Sequence, residues 1–389
     1  MWSLAHLINY TPLAAMMMPL PDGEGGEALV VIVKAAFDID ADGEPHLCEA
    51  PAEIRMADAF IGDPARGLPL ADADLALHKP RVDVLIHGAR AYAPRGREVR
   101  ELFAELHVGH SGGPRSTEAA HDASQAQLIK SVKVTGDRVW LEDAPGEAMP
   151  FVEMPLGWER TYGGTIPEVD GRGQATTACD ERNPFGIGWK GARSADEDVL
   201  SELPNIEDPD HLIVRRDSAG VPVGFGTVAR AWLPRRALAG TFDEAWRRER
   251  WPGVPEDWDP AYHQSAPTDQ QLERYGGSEP VRLVNLTPEG EWLFRLPTLD
   301  VPIALMFEDR LDRPPLRVDT VEIEPEARRV TLTGRVTVAL RRGGGQLYDV
   351  VVGHAQPGWV RARMTGKDYV DLRDLKAGDG ADRRRVCYR

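Results

Sequence analysis

The feature that most constrains the fold is a period-two alternation of apolar and polar side chains, which recurs along most of the chain. It is clearest in residues 28–39, which are rich in β-branched side chains, and in residues 317–340, which alternate over two runs joined near Pro325. Alternation of this kind places successive side chains on opposite faces of a strand. Strands and helices do not alternate along the chain as they do in parallel α/β folds. The sequence therefore predicts a mainly β protein, an antiparallel β-rich body with few short helices, and it leaves sandwich and barrel both open.

Turn signals divide these runs into hairpins. We predict hairpins at residues 28–50 around Asp42-Gly43, at residues 128–142 around Gly136-Asp137, and at residues 281–296 around Pro288–Gly290. In residues 79–93, Val82, Val84 and Ile86 are predicted to share one strand face and Asp83, Leu85 and His87 the other. One helix is predicted, at residues 238–250, with Thr241 as its cap, Glu244 as its capping-box partner and Pro252 as its stop. Residues 63–74 and 110–126 read as loops, and the polar tail beyond Thr365 as loosely attached.

The length of 389 residues is enough for two domains or for one large β-rich body with insertions. No linker marks a boundary. We expect an N-terminal β-rich region (1–150), a central loop-rich region packed on it (151–310), and C-terminal strands with the polar tail (311–389), and the three regions are also compatible with one continuous body.

Charge and targeting signals narrow the function. The formal net charge of −16 argues against nucleic acid as a partner, because phosphate binding needs a basic surface. No apolar run approaches the ~18 residues needed to cross a bilayer, and the N-terminal stretch lacks a signal-peptide pattern. The three cysteines, Cys48, Cys179 and Cys387, do not form a disulfide or zinc pattern. We therefore expect a cytoplasmic protein that binds neither nucleic acid nor membrane.

The most unusual stretch is residues 154–189, which combines aromatic residues with many glycines and prolines and is neither helix nor strand in pattern. A long loop of this kind is usually a folded functional loop or an interaction surface. Glu159 and Arg160 stand between Trp158 and Tyr162, where an ion pair would be partly desolvated. The stretch therefore predicts a binding surface more than a catalytic pocket.

Signals for catalysis are weak. His107 and His110 are spaced by three without a third metal ligand, Cys179 lies beside two acidic residues that raise a thiol pKa, and no serine sits in a nucleophile-elbow motif. The glycine pairs 186/188 and 224/226 lack a phosphate-binding context. We expect no enzyme activity, no catalytic residue, no metal site and no cofactor.

A series of motifs, in order over nearly the whole chain up to about residue 340, carries a family resemblance. They include KPRVDVLIHGARAYAPRGR (79–97), MPLGWERTYGG (154–164), NPFGIGW (183–189), LPNIEDP (203–209), GFGTVARAWLPR (224–235), AGTFDEAW (239–246) and LVNLTPEG (283–290). The series resembles a bacterial family of once-uncharacterised domains encoded beside type VI secretion clusters. The resemblance implies an adaptor or chaperone that holds an effector with a PAAR-like domain and helps to load it on the VgrG spike.

The residues that we predict to contact the partner, or to brace the contacting loops, come from two of these motifs. They are Trp158, Glu159, Arg160, Tyr162, Gly163, Gly164, Asn183, Pro184, Phe185 and Trp189. Two other functions stay open. One is a carbohydrate-active or other hydrolase that uses the Trp-rich region 232–258, with Glu256, Asp257 or Asp259 as its carboxylates. The other is a component exported together with the spike.

Overall fold

In the computed structural model, the structure describes residues 5–63, 67–110, 126–191, 202–340, 345–367 and 369. The strands are, in chain order, β1 His6–Asn9, β2 Ala14–Pro21, β3 Glu27–Ile39, β4 Pro45–Leu47, β5 Ala59–Ile61, β6 Leu68–Ala71, β7 Val82–Ile86, β8 Arg90–Tyr92, β9 Glu101–Gly109, β10 Ala126–Thr135, β11 Trp140–Leu141, β12 Ala144–Pro145, β13 Glu153–Pro155, β14 Tyr162–Gly163, β15 Thr165–Val169, β16 Ala175–Cys179, β17 Ile187–Gly188, β18 Ile206–Glu207, β19 Gln271–Leu272, β20 Pro280–Val284, β21 Glu291–Arg295, β22 Ile303–Phe307, β23 Leu311–Asp312, β24 Arg317–Glu324, β25 Arg329–Leu340 and β26 Leu347–Val352. The α-helices of the described residues are α1 Glu244–Glu249 and α2 Pro357–Met364, and short 3-10 turns lie at Pro94–Gly96, Trp158–Arg160, Arg235–Leu238, Pro260–His263 and Thr268–Gln270.

Three sheets form the body. The largest has the order β19-β7-β24-β25-β3-β2, with β4 added beside β3; a second has the order β18-β10-β9-β20-β21; a third has the order β1-β26-β22-β23. Most neighbouring strands are antiparallel, while β7 and β24, β14 and β17, and β1 and β26 run parallel. No sheet of the described residues closes into a barrel. The prediction of a mainly β, antiparallel-rich body is confirmed.

The two smaller sheets pack side by side on one face of the largest. The long strands β3 and β25 span both contacts: Val330 and Leu332 of β25 belong to the core shared with β9, β10 and β20, whereas Val336 of the same strand belongs to the core shared with β22 and β26. These three residues are separated by even numbers, so they lie on the same strand face. Each apolar side chain buried there contributes about 1.5–3 kcal/mol. The result is a layered sandwich.

The opposite face of the largest sheet carries several buried charged side chains and is covered by loops. The Lys34 Nζ lies 2.8 Å from Asp74 Oδ2 and 3.5 Å from Glu322 Oε2, and Arg55 pairs with the same two acids. Burial opposes ionisation of Glu322, but the hydrogen bond with His87 and the charges of Lys34 and Arg55 outweigh it and keep its pKa below the ordinary value. These ion pairs fasten the segment that carries Arg55 and Asp74 to the sheet.

Several local predictions are confirmed. β3 pairs with β4 across the Asp42-Gly43 turn, β20 with β21 across Pro288–Gly290, and β24 with β25. Val82, Val84 and Ile86 lie in the core, while Asp83 and His87 face the polar side. Of the loop predicted at 110–126, residues 111–125 lie outside the described residues, as does nearly all of the tail beyond Thr365.

The hairpin predicted around Gly136-Asp137 is wrong. Over its whole length β10 pairs with β9 instead, and β11 pairs with β12. Gly136 serves a different purpose: a Cβ there would lie 1.7 Å from the Met149 carbonyl oxygen. The missing side chain allows the two backbone segments to approach closely, and in the sequence such a glycine looks the same as a turn glycine.

The helix predicted at 238–250 is shorter than expected and has another cap. α1 begins after Asp243, whose carboxylate accepts a hydrogen bond from the Trp246 amide at 2.8 Å. Thr241 cannot serve as the cap because its amide and hydroxyl both donate to Asp257. Within the predicted loop 63–74, β6 pairs with β5, a short hairpin that the sequence pattern did not reveal.

Candidate functional site

The loop 154–189 folds around the side chain of Asn183, which is fully buried. Its Nδ2 donates to the Trp158 carbonyl at 2.8 Å, to the Thr161 hydroxyl at 2.8 Å and to the Tyr162 carbonyl at 3.1 Å. Its Oδ1 accepts from the Phe185 amide at 3.2 Å. One side chain thus ties together the two motifs that the sequence singled out, because it satisfies backbone groups that no regular ladder reaches.

Glycines let the two strands of this loop meet. β14 and β17 run parallel, with Tyr162 opposite Ile187 and Gly163 opposite Gly188. Gly163 has φ of +146°, and a Cβ there would lie 2.2 Å from the Asn183 carbonyl oxygen. A larger residue would therefore break the contact between the two motifs.

Trp158 is buried, and Phe185 is partly buried against the same cluster. The Trp158 Nε1 donates to the Thr227 carbonyl at 2.8 Å, and its ring packs edge-to-face on Trp232 with 5.7 Å between centroids. Phe185 also packs on Trp232, with 6.0 Å between ring centroids. These rings form a small core beneath the loop, so their role in any site is to hold it in place.

The predicted pairing between Glu159 and Arg160 is not present. Although both residues are described, no ion pair joins them; the Arg160 guanidinium instead donates to Asn205 Oδ1 at 3.0 Å and lies 3.6 Å from Asp137 Oδ1. The reason is the 3-10 turn at Trp158–Arg160, which sends adjacent side chains in different directions. Arg160 thereby links this loop to the end of β10.

An open cleft of about 290 Å³ lies beside the loop. We call it the tryptophan cleft; its aromatic, apolar and charged lining residues include Trp140, Tyr162, Trp189, Lys190, Glu202, Ile213, Arg216 and Asp217. Trp140 is buried at its base together with Leu203 and Ile213. The Lys190 Nζ and the Arg216 guanidinium carbon lie 5.4 Å and 5.5 Å from the centroid of the Trp140 ring. The cleft combines an aromatic base with two cations and two carboxylates, those of Glu202 and Asp217.

Tyr162 is positioned by its neighbours. Gly220 packs against the Tyr162 ring so closely that a Cβ at Gly220 would lie 2.2 Å from it. The Arg182 guanidinium lies 5.9 Å from the ring centroid and is itself held by Asp180 through two hydrogen bonds, at 2.9 and 2.7 Å. Burial first, and then the Asp180 charge, raise the pKa of Tyr162, so its hydroxyl stays protonated.

The ten predicted residues therefore divide into three groups. Tyr162 and Trp189 line the tryptophan cleft, whereas Trp158, Gly163, Gly164 and Asn183 are buried as braces of the loop. Glu159, Arg160, Pro184 and Phe185 are partly buried around the same loop. Sequence reasoning missed Trp140, Lys190 and Arg216. Trp140 and Arg216 are distant in sequence from the loop, and no local pattern marks them.

The Trp-rich region 232–258 is dispersed. Trp232 is buried under the loop, whereas Trp251 is 68% exposed. Asp257 accepts two hydrogen bonds from Thr241, and Asp259 accepts one from the Ala261 amide. Both carboxylates therefore stabilise local loop structure through these hydrogen bonds.

Two kinds of feature are absent from the described ranges. No group of three or more His, Cys, Asp or Glu side chains is arranged to hold a metal ion. None of the described helices has both the length and the apolar character to span a bilayer.

Fold and site together define a layered β-sandwich protein with a braced aromatic loop beside an open cleft. A family described as "Uncharacterized protein conserved in bacteria (DUF2169)" matches residues 24–335. The chain belongs to this bacterial family, and the match includes the whole braced loop and the cleft. No curated protein and no solved structure matches it.

Proposed function

We propose that the protein is a non-enzymatic adaptor or chaperone of type VI secretion, which binds and stabilises an effector with a PAAR-like domain in the cytoplasm and helps to load it on the VgrG spike. The motif series described above supports the type VI assignment. The structural observation that carries the binding role is the loop braced by Asn183, which presents Tyr162 and Trp189 at an open cleft.

A braced loop suits protein binding because its conformation is set before the partner arrives. Association costs free energy for every side chain and loop that must be ordered, and preorganisation reduces that cost. Tryptophan, tyrosine and arginine are also the residues enriched at the centres of interfaces. The buried Trp158 and Asn183 hold the loop, and the side chains in the cleft make the contacts.

The test is co-expression of the full chain with the effector encoded beside it. A 1:1 complex is expected, and the effector should be insoluble or degraded when this protein is absent. An effector that is equally stable and equally secreted in a strain lacking the gene would refute the proposal.

A pair of tryptophan variants maps the contact. Trp189→Ala should weaken the complex at least about tenfold, since central aromatic anchors contribute 2 kcal/mol or more. Trp251→Ala is the matched control, because it removes an exposed tryptophan outside the cleft. Equal effects of the two variants would contradict the assignment of the cleft.

The hydrolase hypothesis makes the opposite prediction for this pair. The observation that favours the hydrolase is the exposure of Trp251, because an exposed indole ring can stack on a sugar ring. Saturable binding of an oligosaccharide that is lost in Trp251→Ala and kept in Trp189→Ala would support the hydrolase in place of the adaptor.

A further inference from the structure

We propose that the outer edge of β16 (Ala175–Cys179) receives an extended segment of the partner polypeptide, which pairs with it as a third strand beside the hairpin β15–β16. The identity of the partner rests on the proposed function. The hairpin alone supplies the chemistry of the pairing.

The hairpin β15–β16 extends into solvent from the braced loop. Every residue from 167 to 177 is exposed, whereas Ile166 at the base is buried. Backbone hydrogen bonds fasten the base to the loop: the Gly164 amide donates to the Asn183 carbonyl at 2.8 Å, and the Asp180 amide donates to the Gly164 carbonyl at 2.9 Å. A hairpin of two strands is only marginally stable in water until a further strand or a packed face supports it. A third strand would therefore stabilise the hairpin while it holds the partner.

Hydrogen bonds at the two ends of the hairpin fix which backbone groups point outward. At the turn the Asp170 amide donates to the Gln174 carbonyl at 2.9 Å, and at the base the bond from Asp180 to Gly164 has the same length. The register between these ends is continuous. Hydrogen-bonded and non-hydrogen-bonded residue pairs alternate along an antiparallel ladder. Both ends therefore place the even-numbered residues of β15 and β16 in hydrogen-bonded pairs.

The odd-numbered residues of β16 form the free edge. Ala175, Thr177 and Cys179 direct their N–H and C=O groups away from β15, and within the described part of the chain no other strand pairs with β16. Each of these residues offers one backbone donor and one backbone acceptor. An extended backbone is the ligand that matches such a row, as in proteins that bind a peptide by adding it to a sheet edge.

β16 lacks the features that usually protect a strand edge. Exposed edges are commonly guarded by proline or by charged side chains. The sequence of β16, ATTAC, contains neither, although 28% of the residues in the chain are charged. The other edge of the same hairpin carries Pro167, which has no N–H, and the outer strand of the largest sheet, β2, carries Pro19 and Pro21. β16 is therefore left open where these edges are blocked.

Charge and side-chain size indicate which segment fits this edge. A second copy of the chain would bring another net charge of −16, which opposes the pairing of two copies. The side chains of β16 are small, so that larger β-branched or aromatic residues can lie opposite them on an added strand. The occupant is thus an extended, neutral or basic segment of the effector without proline.

The direct test is backbone amide hydrogen exchange, followed by NMR on the full chain alone and in complex with the effector encoded beside it. In the free chain, the amides of Ala175, Thr177 and Cys179 should exchange faster than those of Thr176 and Ala178, which donate within the ladder. In the complex, exchange at the three outward amides should slow at least about tenfold. If the complex forms and these amides exchange as before, the strand pairing is overturned and the proposed function stands.

Proline variants separate the edge from the rest of the hairpin. Thr177→Pro removes an outward N–H and leaves the β15–β16 ladder intact, so it should weaken the effector complex at least about tenfold. Val169→Pro is the matched control, because Val169 lies opposite Ala175 and its N–H points to the other edge, beside Pro167. Thr177→Val keeps the N–H and should retain the affinity. Unchanged affinity in Thr177→Pro, an equal loss in Val169→Pro, or an equal loss in Thr177→Val would each overturn the pairing.

A model peptide tests the edge without the effector. The probe is a short peptide of alternating valine and threonine with a lysine at each end, and its counterpart is N-methylated at two adjacent central residues, so that neither of its edges can pair fully. The first peptide should slow exchange at Ala175, Thr177 and Cys179 in a saturable way, and the second should bind at least about tenfold more weakly. No protection by the first peptide, or equal binding of the two, refutes the site.

The remaining outcomes assign the occupant. If the wild-type chain forms no complex with the effector, the proposed function fails, and the peptide titration still decides whether the edge takes a strand. Protection of the same amides that rises with the concentration of the chain alone would show that a second copy occupies the edge, which overturns the assignment to the effector.

Discussion

Replacing Asn183 should lower the free energy of unfolding by more than replacing an exposed asparagine that makes similar hydrogen bonds. In Asn183→Ala, the Tyr162 carbonyl keeps only a long contact of 3.4 Å from the Thr161 hydroxyl, and the Phe185 amide loses its acceptor. The Trp158 carbonyl keeps Thr161 as a donor, through its amide at 3.3 Å. Two partly buried backbone groups are thus left poorly satisfied, and each such group costs about 1–2 kcal/mol, the lower part of the range for an unsatisfied buried group. The expected loss of unfolding free energy is about 2–4 kcal/mol.

The assay is urea denaturation followed by tryptophan fluorescence, with Asn9→Ala as the control. Asn9 makes the same kinds of hydrogen bonds but is exposed. Its Nδ2 donates to the Leu13 carbonyl at 2.8 Å, and its Oδ1 accepts from the Thr11 amide at 2.9 Å. Water replaces those partners, so the control should lose less than about 1 kcal/mol. If the two alanine variants unfold at the same urea concentration with the same slope, the reasoning about Asn183 is wrong.

Asn183→Asp adds a pH dependence whose sign can be worked out. The new carboxylate would face two carbonyl oxygens and a hydroxyl, so the folded state favours its protonated form and raises its pKa above that of an unfolded aspartate. The folded state then binds more protons than the unfolded state between the two pKa values. Stability of this variant relative to wild type should therefore fall as pH rises from about 4, and the alanine variant should show no such trend.

Three further changes test other parts of the structure. Gly220→Ala forces a Cβ against the Tyr162 ring and should lower the unfolding free energy in urea by about 1–3 kcal/mol. The control Gly171→Ala should be nearly neutral, because no atom lies within 4 Å of a Cβ there. Equal losses in the two variants would contradict the close packing at Gly220. Trp232→Ala should lower the unfolding free energy by about 3–5 kcal/mol because the ring is buried, whereas Trp251→Ala should lower it by less than about 0.5 kcal/mol. If Trp251→Ala unfolds at a lower urea concentration than Trp232→Ala, the core beneath the loop is contradicted. Burial lowers the pKa of His263 from 6.5 to about 3, and the charges of Arg230, Lys79, Arg335 and Arg235 act in the same direction. Between these two pH values the unfolded state binds a proton at His263 and the folded state does not. The unfolding free energy therefore declines as pH falls from 6.5 to about 3. His263→Gln should remove that decline, by at most about 1.4 kcal/mol per pH unit, and a variant that keeps the wild-type pH profile of unfolding free energy would show that His263 is not its source.

The alternation of side chains determined the strands, because burial on one face of a sheet leaves a period-two pattern that can be read residue by residue. It predicted β3, β24 and β25, and it predicted correctly that Val82, Val84 and Ile86 face the core. It predicted three hairpin pairs but not the pairing of strands that are distant in sequence, such as β3 with β25. Gly136 read as a turn because a glycine that permits close packing and a glycine that permits a turn look the same in one sequence.

The loop 154–189 shows the same division at the site. Its glycines and aromatic residues indicated a folded loop, and the two motifs at 154–164 and 183–189 do meet. Tertiary structure alone decided that Asn183 joins them, that Trp158 faces inward, and that Trp140 and Arg216 come to the same cleft as Lys190. The physical reason is that side-chain period and backbone preference are local, whereas burial and charge in the cleft depend on segments that are distant in sequence and meet only when the sheets pack.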